Sequence, residues 1–171
     1  MSRVPQEPLD ALNLAAAATV VEREFRLAEF ARLVDRLAAP EGAAEVRMAF
    51  RSAAGVPTGE LRVHALAMLT CQRCLGPMRR TLESTAQLAF VAREDAPVPA
   101  DHEAIAGDPR RVNLMALVED ELLLSLPLIA VHGADEECMA PGLQAARDTS
   151  SGPPAKEMRR PFAGLKELLK H

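Results

Sequence analysis

The 171 residues predict an α+β fold: an antiparallel β-meander or partly open barrel with two packed helices, a flexible loop and a flexible C-terminal tail. Three observations carry that prediction. Between Val46 and Phe90 apolar and polar residues alternate with a period of two, which puts one face of each strand in a core. On either side of that stretch the apolar spacing changes to threes and fours, the period of a helix with one buried stripe. The prolines and glycines, thirteen and nine of them, concentrate in a few segments and so punctuate the chain instead of interrupting every element.

Residues 1–19 are alanine-rich and weakly patterned, and are expected to be a weakly ordered N-terminus. Val20 to Arg26 roughly alternates and predicts a strand. Leu27, Phe30, Ala31, Val34 and Leu37 form the stripe of a short amphipathic helix, ended by Pro40–Glu41–Gly42. Three alternating runs follow. Val46, Met48 and Phe50 make the first, and a turn at Gly55–Gly59 leads into Leu61, Val63, Ala65, Ala67, Leu69 and Cys71. After Gly76–Pro77 come Met78, Leu82, Ala86, Leu88 and Phe90. Residues 93–111 carry Pro, Gly and acidic charge without periodicity and predict a long loop. Asn113 can cap a helix running to about Leu126, which Pro127 stops because it lacks a backbone donor. A single domain is therefore expected over 20–138. Residues 139–160 are small, polar and Pro-rich and predict a flexible linker. A short amphipathic helix over 161–171 ends the chain, with Phe162, Leu165, Leu168 and Leu169 on one face. So short a helix is marginal alone in water and must dock, in cis or on a protein partner.

An apolar fraction of 49% can build a core and excludes a wholly disordered chain. Aromatics at 3%, with no Trp or Tyr, argue against an activity that stacks bases or sugars on several rings. A formal net charge of −4 argues against a generic polybasic nucleic-acid binder. No stretch approaches the roughly 18 apolar residues of a membrane span. The apolar run Leu12–Val21 follows Glu7 and Asp10 where a secretory signal needs positive charge, so no such signal is expected.

The most specific local motif is Cys71-Gln-Arg-Cys74 at the tip of the second hairpin, directly before Gly76–Pro77. Two thiolates two residues apart in a tight turn can point at one ion, as in a zinc knuckle. His132 and Cys138 follow the helix that Asn113 caps, and three thiolates with one imidazole would close a tetrahedral site. The competing reading makes Cys71 a core thiol and the others incidental. Redox catalysis is the weaker alternative, because its cysteines belong at a helix N-terminus and this motif sits between strands.

Charge is the second feature. Arg47, Arg51, Arg62, Arg73, Arg79 and Arg80 face only Glu60 between Val46 and Arg80, so the sheet reads as basic while the chain is acidic. Arg62, Arg73, Arg79 and Arg80 are the candidate phosphate contacts, since the guanidinium fork suits phosphate oxygens. The plainer reading is a solvated sheet face with Arg blunting strand edges. Glu119-Asp120-Glu121 interrupts the helix that Asn113 caps. Adjacent carboxylates splay around a helix and cannot all serve one metal or one acid–base pair, so some are expected to face solvent and one to pair with a sheet arginine. No Ser/His/Asp set or Gly-rich phosphate loop accompanies them, and neither catalytic residues nor a small-molecule substrate are expected. His64 and His102 read as incidental.

The order of these parts resembles the YceD family, the bacterial large ribosomal RNA subunit accumulation proteins. The resemblance runs from Val20 to Lys170. It rests on Cys71, Cys74, Glu119-Asp120-Glu121, Leu126-Pro127, His132, Cys138 and Pro161-Phe162-Ala163. It implies a cytoplasmic, non-enzymatic factor that supports 23S rRNA accumulation and large-subunit biogenesis, with precursor 23S rRNA or a pre-50S particle as partner. The alternative is a protein-interaction adaptor in ribosome assembly that never touches RNA, using Phe162, Leu165 and Leu169. Zinc is the one cofactor in view and a membrane is not a partner.

Overall fold

The computed structural model describes residues 7–133 and Cys138. The linker over 139–160, the helix over 161–171 and its contact residues Phe162, Leu165 and Leu169 lie outside the described residues.

Long alternating strands build the framework. β1 (Val20–Arg26), β2 (Ala43–Ala53), β3 (Val56–Thr70) and β4 (Pro77–Val91) pair antiparallel in sequence order. β5 (Glu103–Ala106) adds in parallel to the end of β4. The order β1-β2-β3-β4-β5 leaves the sheet open, with β1 and β5 at its edges. The register puts Met48 opposite Leu61, Val46 opposite Val63 and Ala65 opposite Leu82, so the alternation seen in the sequence becomes one continuous apolar face. Phe25, Met48, Phe50, Leu61, Leu82, Leu88 and Phe90 are all essentially buried. The Phe50 and Phe90 rings meet at 5.8 Å, which fixes the β2 and β4 ends of the core. The β2–β3 turn is tighter than the sequence suggests. Ala54 and Gly55 both take left-handed backbone (φ 51° and 80°), and residues 56–59 already belong to β3.

Among the described residues, three helices complete the fold. α1 (Ala11–Ala16) lies over β2 and β3 and is capped by the Asp10 carboxylate, which accepts from Asn13 N–H at 3.1 Å. The expected helix over 27–37 divides into a 3-10 turn at Leu27–Glu29 and the single-turn helix α2 (Ala31–Val34). The break is at Phe30, which adopts extended backbone and buries its ring against Phe25. α3 (Leu114–Leu124) starts as predicted, with Asn113 accepting from Ala116 N–H, and buries Leu114, Val118 and Leu122 over β4 and β3.

The acidic triplet does three separate things. Glu119 accepts from the backbone N–H groups of Arg32 (2.6 Å) and Leu33 (3.3 Å), capping α2 from another helix, and pairs with the Arg32 guanidinium at 3.0 Å. Asp120 pairs with the same guanidinium at 2.7 Å, and Glu121 accepts from Ser84 Oγ on β4. The expected sheet arginine is replaced by Arg32, because α2 packs beside α3 and reaches the triplet first. No helix among the described residues is long and apolar enough to cross a membrane.

Candidate metal centre

The cysteine motif forms a knuckle. Cys71 N–H donates to Gly76 C=O at 2.9 Å and Leu75 N–H to Cys71 C=O at 2.8 Å, folding the chain back over four residues. Leu75 holds a left-handed φ of 60° to do so while its side chain stays exposed. Both cysteine side chains are buried beneath the turn. After α3 the chain returns to this point. Gln72 N–H donates to Ala130 C=O at 2.7 Å, which delivers His132 to the knuckle.

Cys71, Cys74, His132 and Cys138 thereby bring one donor atom each into a cluster whose members all lie within 4.8 Å of one another. The separations fit a tetrahedron around zinc. With Zn–S near 2.3 Å and Zn–N near 2.0–2.1 Å, a tetrahedral edge is about 3.8 Å between two sulfurs and about 3.6 Å between sulfur and nitrogen. Cys71 Sγ and Cys138 Sγ are 3.8 Å apart, and Cys74 Sγ and His132 Nδ1 are 3.5 Å apart.

The electrostatics favour a cation there. Burial alone would push the Cys71 thiol up, but the backbone N–H groups of Cys74, His132 and Arg73 outweigh it and hold the thiol at about 5. The Gly76 N–H acts to lower Cys74, yet burial and the neighbouring sulfurs of Cys138 and Cys71 leave it raised. The sulfurs of Cys138 and Cys71 raise the His132 imidazole. Three thiols in one place cannot all ionise without a positive charge among them, and a divalent ion could supply it. Three thiolates and an imidazole leave no open coordination position.

The arginines are not one patch. On the face of the sheet turned away from the helices, the register sets Glu22 beside Arg47 and Arg47 beside Arg62, with Glu24, Glu45, His64 and Glu83 in the next row. Arg62 pairs with Glu60, Arg47 with Glu22 at 3.5 Å, and His64 with Glu83 at 3.7 Å. Gln87 and then Arg62 hold the Glu60 carboxyl below its usual range. Arg73 donates through Nε to Cys138 Sγ at 2.9 Å. Arg79 and Arg80 leave β4 on opposite faces, opposite Met68 and Ala67. Both border a shallow hollow with Ser125 and Pro127 along the stretch of β4 that β5 does not cover. Among the described residues they make no ion pair. Glu22, Glu24 and Glu45 precede Val46 in the chain and Glu83 follows Arg80, so only strand pairing brings these acids among the arginines.

Fold and site together define an α+β protein with an open sheet and a closed set of thiol and imidazole donors at the tip of its longest hairpin. The chain belongs to the YceD family: the family model described as "Large ribosomal RNA subunit accumulation protein YceD" matches residues 59–169, from the start of the β3–β4 hairpin through all four donors. The chain is also similar to the large ribosomal RNA subunit accumulation protein YceD of Haemophilus influenzae, at 34% identity over 106 residues. That match covers 58% of this chain and 58% of the relative's length. No solved structure matches.

Proposed function

We propose that this chain is a non-catalytic, cytoplasmic factor that supports 23S rRNA accumulation and large-subunit biogenesis by contacting precursor rRNA or a pre-50S intermediate, and that Cys71, Cys74, His132 and Cys138 hold a structural zinc ion. The observation that carries the non-catalytic reading is the closed donor set at the hairpin tip. With no position left for substrate or water, zinc there supplies folding energy and not chemistry. Membership of a family named for rRNA accumulation supplies the pathway. Arg79 and Arg80 are the cations best placed to meet phosphate, since Arg62 and Arg73 are already engaged. Phe162, Leu165 and Leu169 belong to the same proposal as contacts for a protein partner.

Affinity of the zinc-loaded protein for a 23S precursor fragment, measured against salt, tests the RNA contact. Each phosphate neutralised contributes roughly 0.7–0.9 to the logarithmic salt slope. The double variant Arg79→Glu, Arg80→Glu is expected to weaken binding and flatten that slope by about 1.5. A wild-type affinity that does not change with salt would overturn it.

One feature favours the adaptor reading as a second possibility. Leu124, Leu128 and Ile129 follow one another closely and are strongly exposed, with Leu128 fully so. Such an apolar run suits protein better than phosphate. Under that reading Leu128→Asp with Ile129→Asp abolishes association with pre-50S particles, while charge reversal at Arg79 and Arg80 leaves it intact.

A further inference from the structure

We infer that Arg73 is a positioning residue of the metal centre: its guanidinium holds the Cys138 sulfur in place and balances the charge of the zinc–thiolate cluster. The inference rests on the zinc reading of the site. Zinc with three thiolates and a neutral imidazole carries one net negative charge, and here two of the thiolates are buried. A buried charge is costly unless it is paired and hydrogen-bonded. Arg73 meets two of the sulfurs from within the knuckle without being one of the four donors. Its backbone N–H points to Cys71, and its Nε–H donates to Cys138 at 2.9 Å.

Topology makes the second contact consequential. Cys71, Cys74 and the N–H groups of Arg73, Cys74 and Gly76 belong to one short turn and need no help to meet. Cys138 comes from the far side of α3, 65 residues from Arg73 in sequence, and is only half-buried. Like His132 it is half-buried and reaches the knuckle from outside the turn, so a fixed donor aimed at its sulfur acts where ordering has a cost. Partners of this kind around a metal commonly change affinity by 10- to 100-fold. Lysine is a poor replacement, because it has no planar fork and only a mobile point charge. The same contact withdraws Arg73 from any phosphate role.

The test uses the full chain loaded with cobalt(II), whose thiolate charge-transfer and ligand-field bands report the donor set, followed by competition with a chromophoric chelator. Arg73→Gln is expected to lose metal at a chelator concentration about 10-fold or more lower than wild type. Its thiolate-to-cobalt band should move to lower energy, because a sulfur without its hydrogen bond gives up charge more readily. Arg73→Lys should fall between the two, and Arg51→Gln, at the other end of the sheet, should match wild type. A merely structural contribution would lower affinity without moving the band. Equal affinity and an unshifted band in Arg73→Gln would overturn the inference while leaving the metal site standing. A wild-type protein with no tetrahedral cobalt spectrum would remove the site itself, and the role of Arg73 with it.

Discussion

Replacing Glu119 with alanine should destabilise the domain by about 2–3 kcal/mol. The carboxylate is mostly buried, at 12% side-chain exposure, and caps α2 through the Arg32 and Leu33 N–H groups. Loss of a cap costs about 0.5–2 kcal/mol, and leaving a part-buried donor unsatisfied about 1–3 kcal/mol. The guanidinium pairing adds little, since Arg32 is half exposed. For a domain of this size the loss amounts to roughly 8 °C in Tm by calorimetry. Asp120→Ala removes a pair exposed on both sides and should change stability by less than about 0.5 kcal/mol.

The pH dependence has a definite sign. Burial would raise the Glu119 carboxyl, but the Arg32 N–H, the Arg32 side chain and the Leu33 N–H together hold it below its ordinary value of 4.5. A depressed carboxyl stabilises the fold fully above its unfolded value, and that stability is lost as pH falls through the folded value. The gap between wild type and Glu119→Gln should therefore be constant at neutral pH and close progressively below pH 4.5. Should Glu119→Ala and Asp120→Ala melt together, the capping argument is wrong.

Three further outcomes follow from the geometry. Leu75→Gly, at a left-handed backbone position with an exposed side chain, should leave stability unchanged or raise it by up to about 1 kcal/mol in urea unfolding. Gly59→Ala places a Cβ 2.8 Å from Met48 Sδ and 3.3 Å from the Phe90 ring, so it should cost about 1–2 kcal/mol, with part recovered by shortening Met48 to Val. Excess chelator should lower the Tm of zinc-loaded wild type, by an amount equivalent to about 4 kcal/mol if free zinc had stood at a thousand times its Kd. The same chelator should leave Cys74→Ser unmoved.

What the sequence made legible depended on how local the determining interactions are. β2, β3 and β4 alternate over many residues, and α3 carries its own cap in Asn113, so periodicity sufficed. β5 is four residues inside an acidic loop and pairs in parallel, which no local turn announces. α1 buries only Ala11 and Ala15, side chains too small to write a stripe. The donors were legible as a CxxC with a later His and Cys. The Arg73–Cys138 contact was not, since it exists only once the segment after α3 returns to the hairpin. Local charge misled for the same reason: the acids that interleave the arginines come from β1, from β2 before Val46 and from β4 after Arg80, and only strand register brings them alongside.

Elemental analysis of protein purified without affinity-tag metals is the most direct check on the centre. About one zinc per chain is expected, falling to a small fraction in Cys74→Ser with the sheet retained. Wild type that carries no zinc as purified, or a Cys74→Ser variant that keeps its zinc, would contradict it.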